Sequence, residues 1–255
     1  MSQATPTADA PLTVVLVHGA FADSASWNAV VERLLAAGIQ VTAVSNPLRG
    51  IAHDAAYVAS AINQIPGPVL AVGHSYGGAI ITNAASHTSN VVGLVYVAAF
   101  APDEGETLLA IEGDSRDSVL STVLVPLQYP TGQGVETATE FAINPANFHD
   151  AFAADLPPEV TAVMAATQRP AAELAFSEPN GAPAWKTLPS WAVVPSGDTA
   201  AGADVLRTMA ERAGATITEV DGSHVIMISQ PQVVTDVIMS AIATVGQAQT
   251  ASSVA

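Results

Sequence analysis

Short apolar runs alternate along the first part of the chain with stretches whose apolar residues recur every three to four positions. Residues 12–17 form an apolar run that stops at His18-Gly19, the pattern of a strand buried on both faces. In 27–37 the apolar side chains fall at Trp27, Val30, Val31, Leu34 and Leu35, one stripe of a helix. Asp23 or Ser24 can cap that helix and Gly38 can stop it. The same reading predicts strands at 39–44, 69–72 and 91–98, with helices at 54–65 and 77–86 between them. Alternating strands and helices of this kind call for a mostly parallel sheet with helices on both faces.

The rhythm fails from 102 to 189. Helical pieces are predicted at 118–127, 145–154, 157–167 and 170–176, with prolines at starts where a missing N–H costs nothing. Several are apolar on more than one side, as in a lid over a pocket. The earlier pattern then resumes with a strand at 191–194, a helix at 203–213, a strand at 216–220 and a helix at 232–245. Residues 247–255 read as a frayed tail. No repeat and no linker divides the chain, so 1–255 reads as one domain with 102–189 as a cap insertion.

Composition narrows the function classes. At 255 residues the chain is long enough for one sizeable core. Its net charge of -16, with only seven Lys plus Arg, repels phosphate backbones and anionic lipid. Neither nucleic acid nor a membrane is therefore expected as a partner. With no cysteine, thiol nucleophiles, disulfides and Cys-based metal sites are ruled out. Residues 1–11 lack the basic and apolar regions of a secretory signal, and no apolar run reaches spanning length. A cytoplasmic protein is the expectation. The abundance of alanine beside a single lysine, Lys186, points to a GC-rich bacterial genome. A homodimer stays open.

The chemistry concentrates in Gly73-His74-Ser75-Tyr76-Gly77-Gly78, which follows a predicted strand and opens a predicted helix. A strand turning directly into a helix strains its central residue and lifts the Ser75 hydroxyl above the sheet edge. A serine is a poor nucleophile until a base takes its proton and an acid orients that base. Gly222-Ser223-His224 and Pro195-Ser196-Gly197-Asp198 each follow a strand, on the rim where Ser75 emerges. His224 is thus the expected base and Asp198 the expected acid, with Asp103 next and Asp221 also near His224 in sequence. Two N–H donors must receive the oxyanion of acyl transfer. Tyr76 supplies one and the His18-Gly19-Ala20-Phe21 segment the other, from Ala20 or alternatively Phe21. The remaining histidines have simpler readings. His18 holds its loop, His74 points away from the nucleophile, His53 and His87 are surface or helix-end residues, and His149 lies on a solvated face of the insertion. No spacing suggests a metal site.

Val17-His18-Gly19-Ala20-Phe21, the Ser75 motif, Gly197-Asp198 and Gly222-Ser223-His224 together resemble the α/β-hydrolase superfamily over roughly residues 12–245. Within it the chain is similar to small bacterial hydrolases carrying His-Gly-Ala-Phe-Ala-Asp. It is more distantly similar to plant methyl-ester esterases and hydroxynitrile lyases. The resemblance implies Ser75, His224 and Asp198 as a triad, Ala20 and Tyr76 as oxyanion donors, no cofactor, and a helical cap inserted after the sixth strand. One departure is that Thr199-Ala200-Ala201-Gly202 follows Asp198 where the family often has an Arg-Ile-Pro-like stretch, so the acid loop is expected to pack differently.

Phe21, Phe152, Met164, Phe176 and Trp185 are the candidate pocket walls, although each could equally be ordinary core. Their apolar character favours a small carboxylic ester with a modest acyl or aryl group, cleaved through an acyl-enzyme. A lactone is the same chemistry in a ring, and perhydrolysis a side activity of such sites. A hydroxynitrile-lyase-like reaction calls for a lysine near the pocket, and Lys186 stands at the far end of the insertion. A ligand sensor built on a retained triad is the non-enzymatic alternative. Ser75 stands where a haloalkane dehalogenase needs an aspartate.

Overall fold

The computed structural model describes residues 10–132 and 134–253. Thr13 and four apolar residues, largely β-branched, make β1, Thr13–Val17, which is buried along its whole length. Asp23 then accepts the Ala25 N–H at 2.8 Å and caps a single turn. That turn runs into α1, Asn28–Ala36, which ends before Gly38 at φ 77°. The chain continues through β2 (Gln40–Val44), α2 (Ile51–Ile62), β3 (Val69–His74), α3 (Tyr76–Ala84) and β4 (Val91–Val97).

An interposed segment follows, with α4 (Leu108–Asp114), α5 (Leu120–Val123), β5 (Leu124–Pro130), β6 (Thr137–Ile143), α6 (Phe148–Phe152), α7 (Pro158–Thr167), β7 (Ala171–Ala172) and α8 (Leu174–Ser177). The chain returns to the sheet with β8 (Ser190–Pro195), α9 (Ala203–Arg212), β9 (Thr216–Val220), α10 (Ile226–Ser229) and α11 (Pro231–Ser253).

The main sheet has six strands in the order β2-β1-β3-β4-β8-β9. Every pairing in it is parallel. β2 lies on one side of β1 and β3 on the other, so the winding reverses between β1 and β3. Loops at such a reversal splay apart and leave a crevice at the carboxyl ends of the strands. Helices α1 and α11 pack together, α2 and α3 pack together, and both pairs meet the central strands. The sheet is thereby covered on both faces, which is why β3 and β8 are buried at every position.

The insertion differs from its sequence reading. It leaves this sheet after the fourth strand rather than the sixth, because only two strands, β8 and β9, remain to be added. Nor is it wholly helical, since β5, β6 and β7 form an antiparallel three-stranded sheet. The helix expected at 118–127 survives only as α5. Pro126 cannot sit inside a helix, whereas an edge strand such as β5 tolerates it. Of the helix expected at 170–176, Ala171 and Ala172 instead pair with β6, and only α8 is helical. The tail expected to fray from 247 is helical through Ser253. The reading of the N-terminus falls mostly on residues 1–9, outside the described residues.

Candidate active site

Ser75 sits between β3 and α3 at φ 53° and ψ -124°, a conformation that non-glycine residues rarely adopt. The neighbouring backbone holds it there. The Ser75 N–H donates to Val97 O at 3.3 Å, while Ser75 O accepts from Gly78 N at 2.9 Å and Phe100 N at 3.2 Å. The turn closes so tightly that a Cβ on Gly77 would lie 2.4 Å from Val17 O. Two backbones meet there and neither can yield. Gly77→Ala is therefore expected to cost about 2–3 kcal/mol, read as a lower urea midpoint at unchanged slope. An unaltered midpoint would contradict this geometry.

The loop after β1 lies against Ser75, because a Cβ on Gly19 would come within 2.6 Å of the serine Cβ. His18 fixes this loop. Its Nε2 accepts from Asn46 N at 3.0 Å, so its Nδ1 carries the proton and donates to Gly19 O at 2.9 Å. Burial lowers the His18 pKa to about 4, which keeps the ring neutral near pH 7. Arg169 completes the arrangement with Nη1 directed to Asn46 O at 2.8 Å and to His18 Nε2 at 3.2 Å. The Phe21 N–H is committed to Arg169 O at 3.2 Å, whereas the Ala20 N–H meets no backbone acceptor among the described residues. Tyr76 opens α3, so its N–H falls in the first turn, where the helix supplies no acceptor. Its hydroxyl donates to the buried carboxylate of Asp54 at 2.9 Å and anchors the side chain.

His224 follows β9 and its side chain is only 2% exposed. Its Nδ1 meets Asp198 Oδ2 at 2.6 Å. The other oxygen of Asp198 accepts Ala200 N at 2.9 Å and Ala201 N at 3.0 Å, so the loop that departs from the family pattern closes around the carboxylate. The two other candidate acids are engaged elsewhere. Asp103 pairs with Lys186 at 2.5 Å on the surface, and Asp221 accepts the Ser196 hydroxyl at 2.8 Å. His74 does not extend into the crevice. Its ring lies 4.8 Å from that of His224, and its Nε2–H donates to His224 O at 3.0 Å. Burial first, then the neighbouring His224, depress the His74 pKa well below its ordinary value.

Above these groups Phe21 stacks on Phe176 at 6.0 Å and meets Phe152 edge-on at 6.2 Å. Phe152 in turn lies 5.0 Å from the His224 ring. Phe21 and Met164 also line a cleft of about 180 Å³ with Ser26, Gln168 and Ile228, among others; neither Ser75 nor His224 lines it. Trp185 does not join the expected pocket. Its Nε1–H donates to Pro102 O at 3.1 Å and its ring packs beside Lys186 and Arg212, because the chain re-enters the sheet there.

The sequence reading missed three residues that hold these loops, Asn46, Arg169 and Asp155, and it also missed the buried acid Glu112. Asp155 accepts the Ser223 N–H at 2.9 Å and also the Ser223 hydroxyl. Glu112 is buried and its Oε1 has no hydrogen-bond partner among the described residues. Burial first, and then the charge of Asp198, push its pKa up to about 8. No local spacing could have revealed these contacts, since Asp155 and Ser223 stand 68 positions apart. Among the described residues, no group of three or more His, Cys, Asp or Glu is placed to hold a metal ion.

A parallel sheet reversing beside a strained serine turn, with a buried Asp–His pair on later loops, defines the α/β-hydrolase class. The chain belongs to the alpha/beta hydrolase family, whose model matches residues 14–237. Solved structures agree with that assignment. Polyneuridine aldehyde esterase matches with a TM-score of 0.75 at 19% identity, covering 91% of this chain and 99% of its own. A pyrethroid hydrolase from Sphingobium faniae JZ-2 matches with a TM-score of 0.75 at 21% identity, covering 91% and 98%. The methylesterase MES16 from Arabidopsis matches with a TM-score of 0.74 at 20% identity, covering 91% and 99%. At such identities the likeness is one of fold. No curated protein matches the sequence at a significant level. No described helix is long and apolar enough to cross a membrane.

Proposed function

We propose that the protein is a serine hydrolase that cleaves small carboxylic esters through an acyl-enzyme, with residues 102–189 as the cap over its site. The observation that carries this reading is the buried His224–Asp198 pair at 2.6 Å, on loops at the same sheet edge as a serine held at φ 53°.

In this mechanism the Ser75 oxygen attacks the ester carbonyl while His224 Nε2 takes its proton. Asp198 holds Nδ1–H and stabilises the imidazolium that forms. The N–H groups of Ala20 and Tyr76 receive the oxyanion. His224 then passes the proton to the departing alcohol, and a water activated by the same imidazole releases the acid. Ser75 Oγ makes no hydrogen bond among the described residues, so the hydroxyl is free to meet Nε2 when substrate draws the two together.

The acyl or aryl group is assigned to the space bounded by Phe21, Phe152 and Phe176, with Met164 on the cleft beside it. A net charge of -16 disfavours anionic substrates. The three similar structures carry esterase or hydrolase in their names, in keeping with this assignment. Lys186 is 49% exposed and bound to Asp103, which removes it from the role a cyanide-releasing lyase would require.

A panel of p-nitrophenyl esters and lactones of increasing acyl length tests the proposal. The expected result is hydrolysis of short-to-medium esters, with a rapid release of about one nitrophenolate per enzyme ahead of steady turnover wherever deacylation is the slower step. Cyanide release from a cyanohydrin without turnover of any ester or lactone would overturn it.

A further inference from the structure

Each loop of the site is gripped by the segment between β4 and β8. Arg169 grips the loop after β1. The acid loop is held by the Ser118 hydroxyl on Ala200 O at 2.6 Å and by the Val119 N–H on Thr199 O at 2.8 Å. The third grip is on the base, and it is made by a carboxylate.

We propose that Asp155, on the turn between α6 and α7, is a positioning residue for His224, so that seating the insertion and aiming the base are one structural event. This rests on the reading of His224 as the base. Asp198 holds the imidazole at one atom, which leaves the direction of Nε2 to be set by the backbone on either side. On the far side, His224 O accepts from His74 at 3.0 Å. On the near side, Asp155 Oδ2 accepts the Ser223 N–H at 2.9 Å while Oδ1 accepts the Ser223 hydroxyl. Both bonds end on an ionised carboxylate, the stronger kind. Burial opposes ionisation, yet the carboxyl stays below its ordinary pKa, with the two Ser223 bonds foremost among the contacts that lower it.

Gly222 makes room for this approach, since a Cβ there would lie 2.9 Å from Asp155 Oδ2 and 2.4 Å from Ile226 Cδ1. Three positions before Asp155, the Phe152 ring packs 5.0 Å from the His224 ring, so one stretch of the insertion meets both the base and the peptide preceding it.

Asp155→Asn keeps the shape but removes the charge: its oxygen can still accept the Ser223 N–H while its NH2 turns to the Ser223 hydroxyl as acceptor, so two charge-assisted bonds become weaker neutral ones. On p-nitrophenyl acetate we expect kcat to fall about tenfold with KM within about twofold, because the weakened contact aims the base and binds no substrate. The rate at which a fluorophosphonate labels Ser75 should fall by the same factor. Asp155→Glu should recover part of both. Ser223→Ala removes only the hydroxyl bond and should cost about threefold; it decides the matter if Asp155→Asn fails to fold.

A folded Asp155→Asn with wild-type kcat, or with its loss confined to KM, overturns the proposal. So does a Ser223→Ala variant indistinguishable from wild type when Asp155→Asn does not fold. If wild-type protein neither turns over aryl esters nor takes the phosphonate, it is the reading of Ser75 and His224 that fails.

Discussion

Ser75→Ala is expected to lower kcat on p-nitrophenyl esters by roughly 10⁴- to 10⁶-fold while leaving the unfolding transition nearly where it was. The size follows from chemistry. Without the hydroxyl no acyl-enzyme forms, and what remains is the effect of the oxyanion donors and of binding on direct attack by water. The small stability effect follows from geometry. Ser75 is held through its backbone, and Oγ makes no hydrogen bond among the described residues, so alanine leaves no buried donor unpaired. Alanine must still adopt φ 53°, at no greater steric cost than serine. Steady-state turnover and thermal unfolding, measured on the same preparation, check both halves. A variant retaining more than about a hundredth of the activity would require another nucleophile.

Glu112→Gln carries the largest expected effect on stability. The folded-state pKa of Glu112 lies near 8 against an ordinary 4.5, so the native protein keeps a proton that the unfolded chain gives up. Stability is then intact below pH 4.5 and is lost as the pH rises through the window up to about 8. At pH 7 the loss is on the order of 3 kcal/mol. Glutamine stays neutral in both states and removes this dependence. Chemical denaturation should give variant and wild type similar stabilities near pH 4.5 and a gap in favour of glutamine that widens toward pH 8. A gap independent of pH would show that Glu112 is ionised in the native protein.

His18 acts on the opposite side of the profile. Its folded pKa near 4 against 6.5 means that the unfolded chain takes up the proton first. That contribution is lost as the pH falls from about 6.5 to 4. Wild type and Glu112→Gln should both show this acid limb, which separates it from the effect of Glu112.

The central strands of the main sheet were legible because burial on both faces writes itself as short apolar runs, as at Val69, Leu70, Ala71 and Val72. The Ser75 turn was legible because its strain demands glycine at fixed offsets from the serine. The partner of His224 was harder to choose. Asp198, Asp103 and Asp221 all follow strands, and only coordinates show which one faces His224. The insertion was read worst. Val123, Leu124 and Val125 suit either a helix or a strand, and the pairing of β5 with β6 decides between them. Thr137–Ile143 was not recognised as a strand at all, since its residues are half-buried on both faces and show no clean alternation. Asp155 was invisible for a different reason: a bond between distant segments leaves no spacing to read, and for the same reason Arg169 read as a surface residue rather than as the partner of His18 and Asn46.

The most direct measurement is a rapid acid quench of enzyme turning over a p-nitrophenyl ester, followed by intact-mass analysis and peptide mapping. The account predicts an added acyl mass on the peptide containing Ser75, absent from Ser75→Ala and accumulating far more slowly in His224→Ala. Steady turnover with no acylated protein in the burst phase, or an acyl group carried by any other residue, would contradict it.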